Sequence, residues 1–178
     1  MIIYIVGASG SGKTTLLKKA PIPGYDLDDI YESNWNKHRK WETVQKGAKK
    51  DIEALTKKHK DIVLVGFQYN KDLAFSPDVV YILIRTDYEK FYRDKLVRDL
   101  NLLCDNKKEY ERVLSKEPVN EIKKHFGFND IVNMKSFDDF KLDVEKTNKD
   151  IQKEFPNAEI FTADKLLNKL LNKLKTTL

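Results

Sequence analysis

Ile2-Ile3-Tyr4-Ile5-Val6 followed by Gly7-Ala8-Ser9-Gly10-Ser11-Gly12-Lys13-Thr14 is the stretch on which the fold of this chain turns. Residues 2–6 form a β-branched and aromatic run that is apolar on both faces, as a central strand of a covered parallel sheet requires. The next eight residues match G-x-x-x-x-G-K-[ST] in full, and Thr15-Leu16-Leu17-Lys18-Lys19 reads as a helix. Strand, glycine loop and helix is the setting this pattern needs to have structural meaning. From ordinary residue frequencies the four fixed positions coincide by chance in under roughly 1% of chains this long.

The spacing follows from phosphate chemistry. Glycines at 7, 10 and 12 let the backbone curl until successive N–H groups converge on phosphate oxygens, and the helix starting near Lys13 points its positive dipole end at the same place. Residues Gly7, Ala8, Ser9, Gly10, Ser11, Gly12, Lys13, Thr14 and Thr15 are therefore expected to hold a nucleoside triphosphate, ATP being the expected one. Lys13 reaches the β- and γ-phosphates and the Thr14 hydroxyl ligates Mg²⁺. A second acid is needed to organise the metal. The second apolar strand, Ile62-Val63-Leu64-Val65, should end on an aspartate, but Gly66 stands there. The best source is Tyr25-Asp26-Leu27-Asp28-Asp29-Ile30, after a turn containing Pro21, Pro23 and Gly24. If residues 24–28 are a short strand, its period of two puts Asp26 and Asp28 on one face at the carboxyl end of the sheet, leaving Asp29 to cap the next helix.

With these residues in place the chain resembles the small P-loop kinases of the nucleoside, nucleotide, shikimate and gluconate type. Asp26-x-Asp28 is similar to the D-x-D of shikimate-type kinases, and the resemblance implies that Asp26 serves magnesium and Asp28 the acceptor hydroxyl. Val65-Gly66-Phe67-Gln68-Tyr69-Asn70 is similar to a segment of adenylate kinases, but its Asp, Pro and Arg positions are Val65, Gln68 and Tyr69, which argues against an AMP-like acceptor. Pro77–Ile84 resembles the family's fourth strand. It leads to a helix carrying Arg93 and Arg98-Asp99, similar to the R-x-x-R-D lid segment of uridine-kinase-like proteins, so the resemblance implies that Arg93 and Arg98 close on the transferring group. A GTPase reading fails because Asn148-Lys149-Asp150-Ile151 and Asn70-Lys71-Asp72-Leu73 lack the guanine-reading aspartate. The implied fold is α/β, a three-layer α/β/α P-loop NTPase sheet of five parallel strands in order 2-3-1-4-5. The implied activity is Mg-dependent transfer of the ATP γ-phosphoryl group to a small hydroxyl or phosphate acceptor.

The remainder of the sequence bounds this reading. The 178 residues are expected to form one domain, with residues 105–155 a helical lid or insert. Pro118 precedes one helical stretch of that insert, and Ser136-x-x-Asp139 is a capping box opening another with Phe140, Val144, Ile151 and Phe155. Trp41, Val44, Ala48, Ile52 and Leu55 keep helical spacing and are expected in the core of a helix over about 38–59. Tyr31 and Trp35 fall off that stripe, leaving core packing and acceptor stacking both open for them. Ala158–Phe161 reads as a last strand and Leu166–Leu174 as an amphipathic closing helix. The lone cysteine, Cys104, is expected as a buried thiol. His38, His59 and His125 adjoin lysines and are expected on the surface.

The net charge of +5 and a pI near 9.0 suit a polyanionic partner. A polynucleotide-end kinase or nucleic-acid-associated ATP-binding protein is therefore the alternative. It is not favoured, because only five of the 33 cations are arginines and the lysines show no dense cluster interleaved with aromatics. Apolar runs fall far short of the ~18 residues that cross a bilayer. No signal peptide precedes the first strand, so a cytoplasmic location is expected.

Overall fold

The computed structural model describes residues 1–103, 116–125 and 135–175. Five strands, β1 (Ile2–Val6), β2 (Gly24–Asp26), β3 (Ile62–Gly66), β4 (Val79–Leu83) and β5 (Glu159–Phe161), form one sheet in the order β2-β3-β1-β4-β5, with every pair parallel. The expected fold class and strand order are those observed. Seven described helices connect or follow the strands: α1 (Lys13–Lys19), α2 (Leu27–His38), α3 (Trp41–Lys58), α4 (Tyr88–Leu103), α5 (Val119–His125), α6 (Phe137–Glu154) and α7 (Ala163–Lys175).

The strand period sorts the apolar residues into two layers. Ile3 and Ile5 of β1 join Val63, Val65, Tyr81 and Leu83 in one cluster with Leu16 of α1 and Leu166 and Leu170 of α7. Tyr4 and Val6 face the other way, packing with Ile62, Leu64 and Ile82 against Leu27, Val44, Ala48 and Ile52 of α2 and α3 and Ile151 of α6. The closing helix thus covers the sheet, as its leucine spacing predicts. Each layer removes a continuous apolar face from water at about 25 cal/mol per Å², which is what fixes the register of the strands beneath it.

The chain divides into two compact units, one of residues 1–84 with 148–178 and the other of residues 85–147. The first holds the sheet. The second has its own aromatic core of Phe91, Tyr92, Leu96, Val119, Ile122, Phe140 and Val144, with the Phe91 and Phe140 rings edge to face at 5.1 Å. Cys104 lies outside the described residues, as do residues 105–115 and 126–134 of the expected insert and the side chain of His125.

The capping box at the head of α6 is formed, with one difference from the usual pattern. The Ser136 hydroxyl accepts the Asp139 N–H at 3.1 Å, and the shorter Asp side chain takes the Ser136 hydroxyl proton at 2.6 Å instead of reaching the cap's backbone N–H. Ser136→Ala removes both bonds. It is expected to cost about 1 kcal/mol, seen as a lower denaturant midpoint at unchanged slope.

The helix expected over about 38–59 spans Trp41–Lys58, because the helix before it, α2, ends at Arg39, whose left-handed φ of 58° lets its N–H cap the Trp35 carbonyl at 3.0 Å. Two further expectations change. Trp41 is 47% exposed and not in the core: as the first residue of α3 it lies at the corner between the helices, stacked on Tyr31 at 5.6 Å, while Val44, Ala48 and Ile52 are buried. His59 is half-buried, its Nε2 3.0 Å from the Tyr25 hydroxyl.

Candidate active site

The loop between β1 and α1 leaves the central strand at its carboxyl end. Gly7 is required by close approach, since a Cβ there would sit 2.5 Å from the Leu83 carbonyl oxygen of β4 and 2.8 Å from the Ser11 hydroxyl. Gly12 is required by conformation: with φ at 102° it occupies the position before α1, where side-chain-bearing residues are strained. The Ser11 N–H closes a turn on the Ala8 carbonyl at 3.0 Å. Ser11 itself is 2% exposed and its hydroxyl has no hydrogen-bond partner among the described residues, a buried polar group that a bound ligand or water can satisfy. Lys13 turns its ammonium back onto the loop, donating to the Gly7 carbonyl at 2.6 Å and the Ala8 carbonyl at 3.0 Å. Thr14 and Thr15 are exposed at the head of α1.

Two strands away, Asp26 ends β2 and is paired in register with Val65. The Thr14 hydroxyl donates to Asp26 Oδ2 at 3.4 Å, so the sequence-predicted metal pair is brought together. A hydroxyl beside a carboxylate is a donor set that fits magnesium, which takes one or two protein oxygens and fills its octahedron with phosphate and water. Asp26 Oδ1 meanwhile accepts the Asp28 N–H at 3.0 Å. That bond corrects the expected strand over 24–28: β2 stops at Asp26, which caps α2, and Asp28 stands in the first turn of that helix. Capping, the role expected of Asp29, belongs to Asp26. Asp26 and Asp28 are therefore joined by an N-cap bond and not by a shared strand face.

Burial pushes the Asp26 carboxyl above the ordinary carboxylate range, the negative charges of Asp28 and Asp29 add to the rise, and the Asp28 N–H and Thr14 hydroxyl oppose it. A folded-state pKa above the unfolded one means that this group contributes fully below the unfolded pKa, about 4, and loses that contribution as pH rises through the folded value. Asp26→Asn keeps a capping oxygen without the charge. Without magnesium, the variant is expected to melt above the wild type at neutral pH, with the gap closing at acid pH, and to need more magnesium for half-maximal ATP binding. A lower Tm at every pH would refute the sign.

Sequence reasoning missed Gln68. Its Oε1 accepts the Phe67 N–H at 3.1 Å, which leaves its amide NH₂ to face Asp28 Oδ1 at 3.0 Å, and its carbonyl accepts the Tyr4 hydroxyl at 2.9 Å. Tyr4 is fully buried in β1, and burial raises its pKa well above the ordinary value, with Tyr31 and Asp28 adding to the rise, so it remains a hydroxyl donor. Gly66 makes room for the bridge: a Cβ there would lie 2.1 Å from Gln68 Oε1. The only sequence signal was the departure of residues 65–69 from the adenylate-kinase pattern. Tyr31 is core, its hydroxyl donating to the Asp72 carbonyl at 3.1 Å and accepting the Ala74 N–H at 3.2 Å, whereas Trp35 is 41% exposed. Arg93 and Arg98 lie on α4 in the second unit, where the Arg93 guanidinium donates to the Glu117 carbonyl at 2.7 Å.

No family model matches the sequence, and no curated protein does either. Among solved structures, the chain is similar to the shikimate kinase from Acinetobacter baumannii in complex with shikimate, at 18% identity over 88% of this chain and 93% of that one, with a TM-score of 0.38. Five parallel strands in the order β2-β3-β1-β4-β5, with the G-x-x-x-x-G-K-T loop leaving the central one and helices packed on both faces, make this a three-layer α/β fold.

Proposed function

We propose that the protein is a phosphotransferase that moves the γ-phosphoryl group of ATP, with Mg²⁺, to a small hydroxyl or phosphate acceptor. The observation that carries the reading is the hydrogen-bonded series Thr14, Asp26, Asp28, Gln68, which runs from the phosphate-binding loop to a carboxylate at the carboxyl end of the sheet. A loop that only stored nucleotide has no need of a second carboxylate held beside the first.

Bound Mg·ATP supplies the phosphoryl group and neutralises its charge. Lys13 holds the phosphates after releasing the Gly7 and Ala8 carbonyls. Thr14 and Asp26 are the residues that hold the metal. Asp28, with Oδ1 engaged by Gln68, offers Oδ2 to the proton of an acceptor hydroxyl. Catalysis on this plan is positioning and charge neutralisation, which suffices for phosphoryl transfer. Arg93 and Arg98 keep the role the family resemblance gives them, cations for the transferring group. ADP formation measured against nucleosides, nucleotides, sugars and short oligonucleotides tests the reading. At least one acceptor class is expected to raise the rate well above that with water, and a chain that binds Mg·ATP yet is accelerated by none of them is not a phosphotransferase of this kind.

A further inference from the structure

The seven residues Trp35-Asn36-Lys37-His38-Arg39-Lys40-Trp41, spanning the corner between α2 and α3, are all exposed. Periodicity divides them into a core tryptophan and solvated charges, which hides the pattern that the fold makes plain: two indoles flanking a run of basic side chains. Lys37, Arg39 and Lys40 form no ion pair among the described residues, and Glu42 is the one carboxylate adjoining the run.

We propose that this corner binds single-stranded nucleic acid. Tyr31 and Trp35 are four residues apart on α2, so they lie on one face about one turn, or 6 Å, from each other. Trp41 is stacked on the Tyr31 ring at 5.6 Å and an interplanar angle of 20°. Trp35 and the Trp41 ring of this stack are both exposed at the corner, two indoles on which unpaired bases can stack. The Trp41 plane is braced from below, because Tyr31 is 7% exposed and its hydroxyl is tied to the backbone at residues 72 and 74. Aromatic stacking platforms beside cations that track the backbone are what sequence-tolerant single-strand binding uses.

The backbone carries a second and independent mark. Among the described residues, Arg39 alone has a positive φ without being glycine. A left-handed position ending a helix is normally given to glycine or asparagine, so an arginine there costs stability that its cation must justify in another way. Lys40 also gives α3 no side-chain cap, leaving the first N–H groups of an 18-residue helix directed at the same corner. No aliphatic side chain lies in the stretch, so it offers little to a lipid surface beyond the two indoles, and paired bases cannot stack on them. The inference goes beyond the phosphotransfer reading and does not depend on it.

The test is fluorescence anisotropy of a fluorescein-labelled ten-residue thymidine oligonucleotide with the full chain, repeated across salt concentrations. Binding is expected to quench tryptophan emission and to weaken with a log–log salt slope of about −2, from three cations at about −0.7 each. Trp35→Ala is expected to weaken binding roughly tenfold at unchanged Tm. The combined K37E/R39E/K40E variant is expected to abolish it at moderate salt. Trp41→Ala, which also removes the Tyr31 stack, is read only beside a Tm measurement. Equal affinity of the Trp35→Ala and wild-type chains overturns the proposal, as does an oligonucleotide signal absent at low salt. Tighter binding to duplex DNA or to vesicles of anionic phospholipid than to the oligonucleotide overturns it too.

Discussion

Lys13→Ala is expected to lower the proposed phosphoryl transfer by roughly three orders of magnitude or more and to leave the fold intact. The magnitude follows from what the ammonium does in the two states of the site. Without nucleotide it donates to two loop carbonyls, at 2.6 and 3.0 Å, from a half-buried side chain. Losing those bonds costs little, because the loop is already shaped by Gly7, Gly10 and Gly12. With nucleotide it is the one loop side chain carrying positive charge, and loss of a preorganised charge facing a transferring phosphoryl group costs 10²–10⁵-fold. The measurement is ADP formation at saturating ATP, with Tm alongside. A variant within tenfold of the wild type would sink the mechanism.

Asp28→Asn is expected to give the second large effect, a fall in turnover of about 10²-fold with ATP affinity held within a few-fold. Asparagine keeps the length of the side chain and an oxygen for the Gln68 amide, so the bridge at 3.0 Å can persist. The other position then carries NH₂, which cannot accept a hydroxyl proton, and that loss is worth 10²–10⁴ in rate. Gln68→Met separates holding the carboxylate from using it. It is expected to slow turnover by about tenfold, because Asp28 stays in place less of the time. Unchanged kcat with a raised KM for ATP would show that Asp28 serves nucleotide binding instead.

The parts of this molecule that were legible in its sequence are those where one interaction dominates. The loop at residues 7–14 is specified by backbone conformation, and the parallel sheet by apolar runs separated by helices, so both follow from spacing alone. The boundary at Asp26 was not legible, because a short strand of period two and an N-cap aspartate look alike over three residues. What decides between them is the single bond from the Asp28 N–H, which ends the strand and starts the helix. Trp41 was misplaced for a related reason. Its spacing matches the buried stripe of α3, but it is the first residue of that helix, and a stripe has no sheet beneath it at the corner. Gln68 left no pattern because its partners, Tyr4, Phe67 and Asp28, are assembled by tertiary structure from three separate segments.

Gly66 stands where related loops place a metal-organising aspartate, and its bare Cα is what admits the Gln68 amide. The two arrangements exclude each other: any side chain at 66 drives Gln68 off Asp28, and the Leu27 side chain, 3.1 Å from the same point, must also yield. An acid introduced at 66 would therefore take the volume the Gln68 amide now fills, so the two arrangements compete for one place in the site. Across homologues residues 66 and 68 are expected to covary, glycine with glutamine or an acid with a smaller residue.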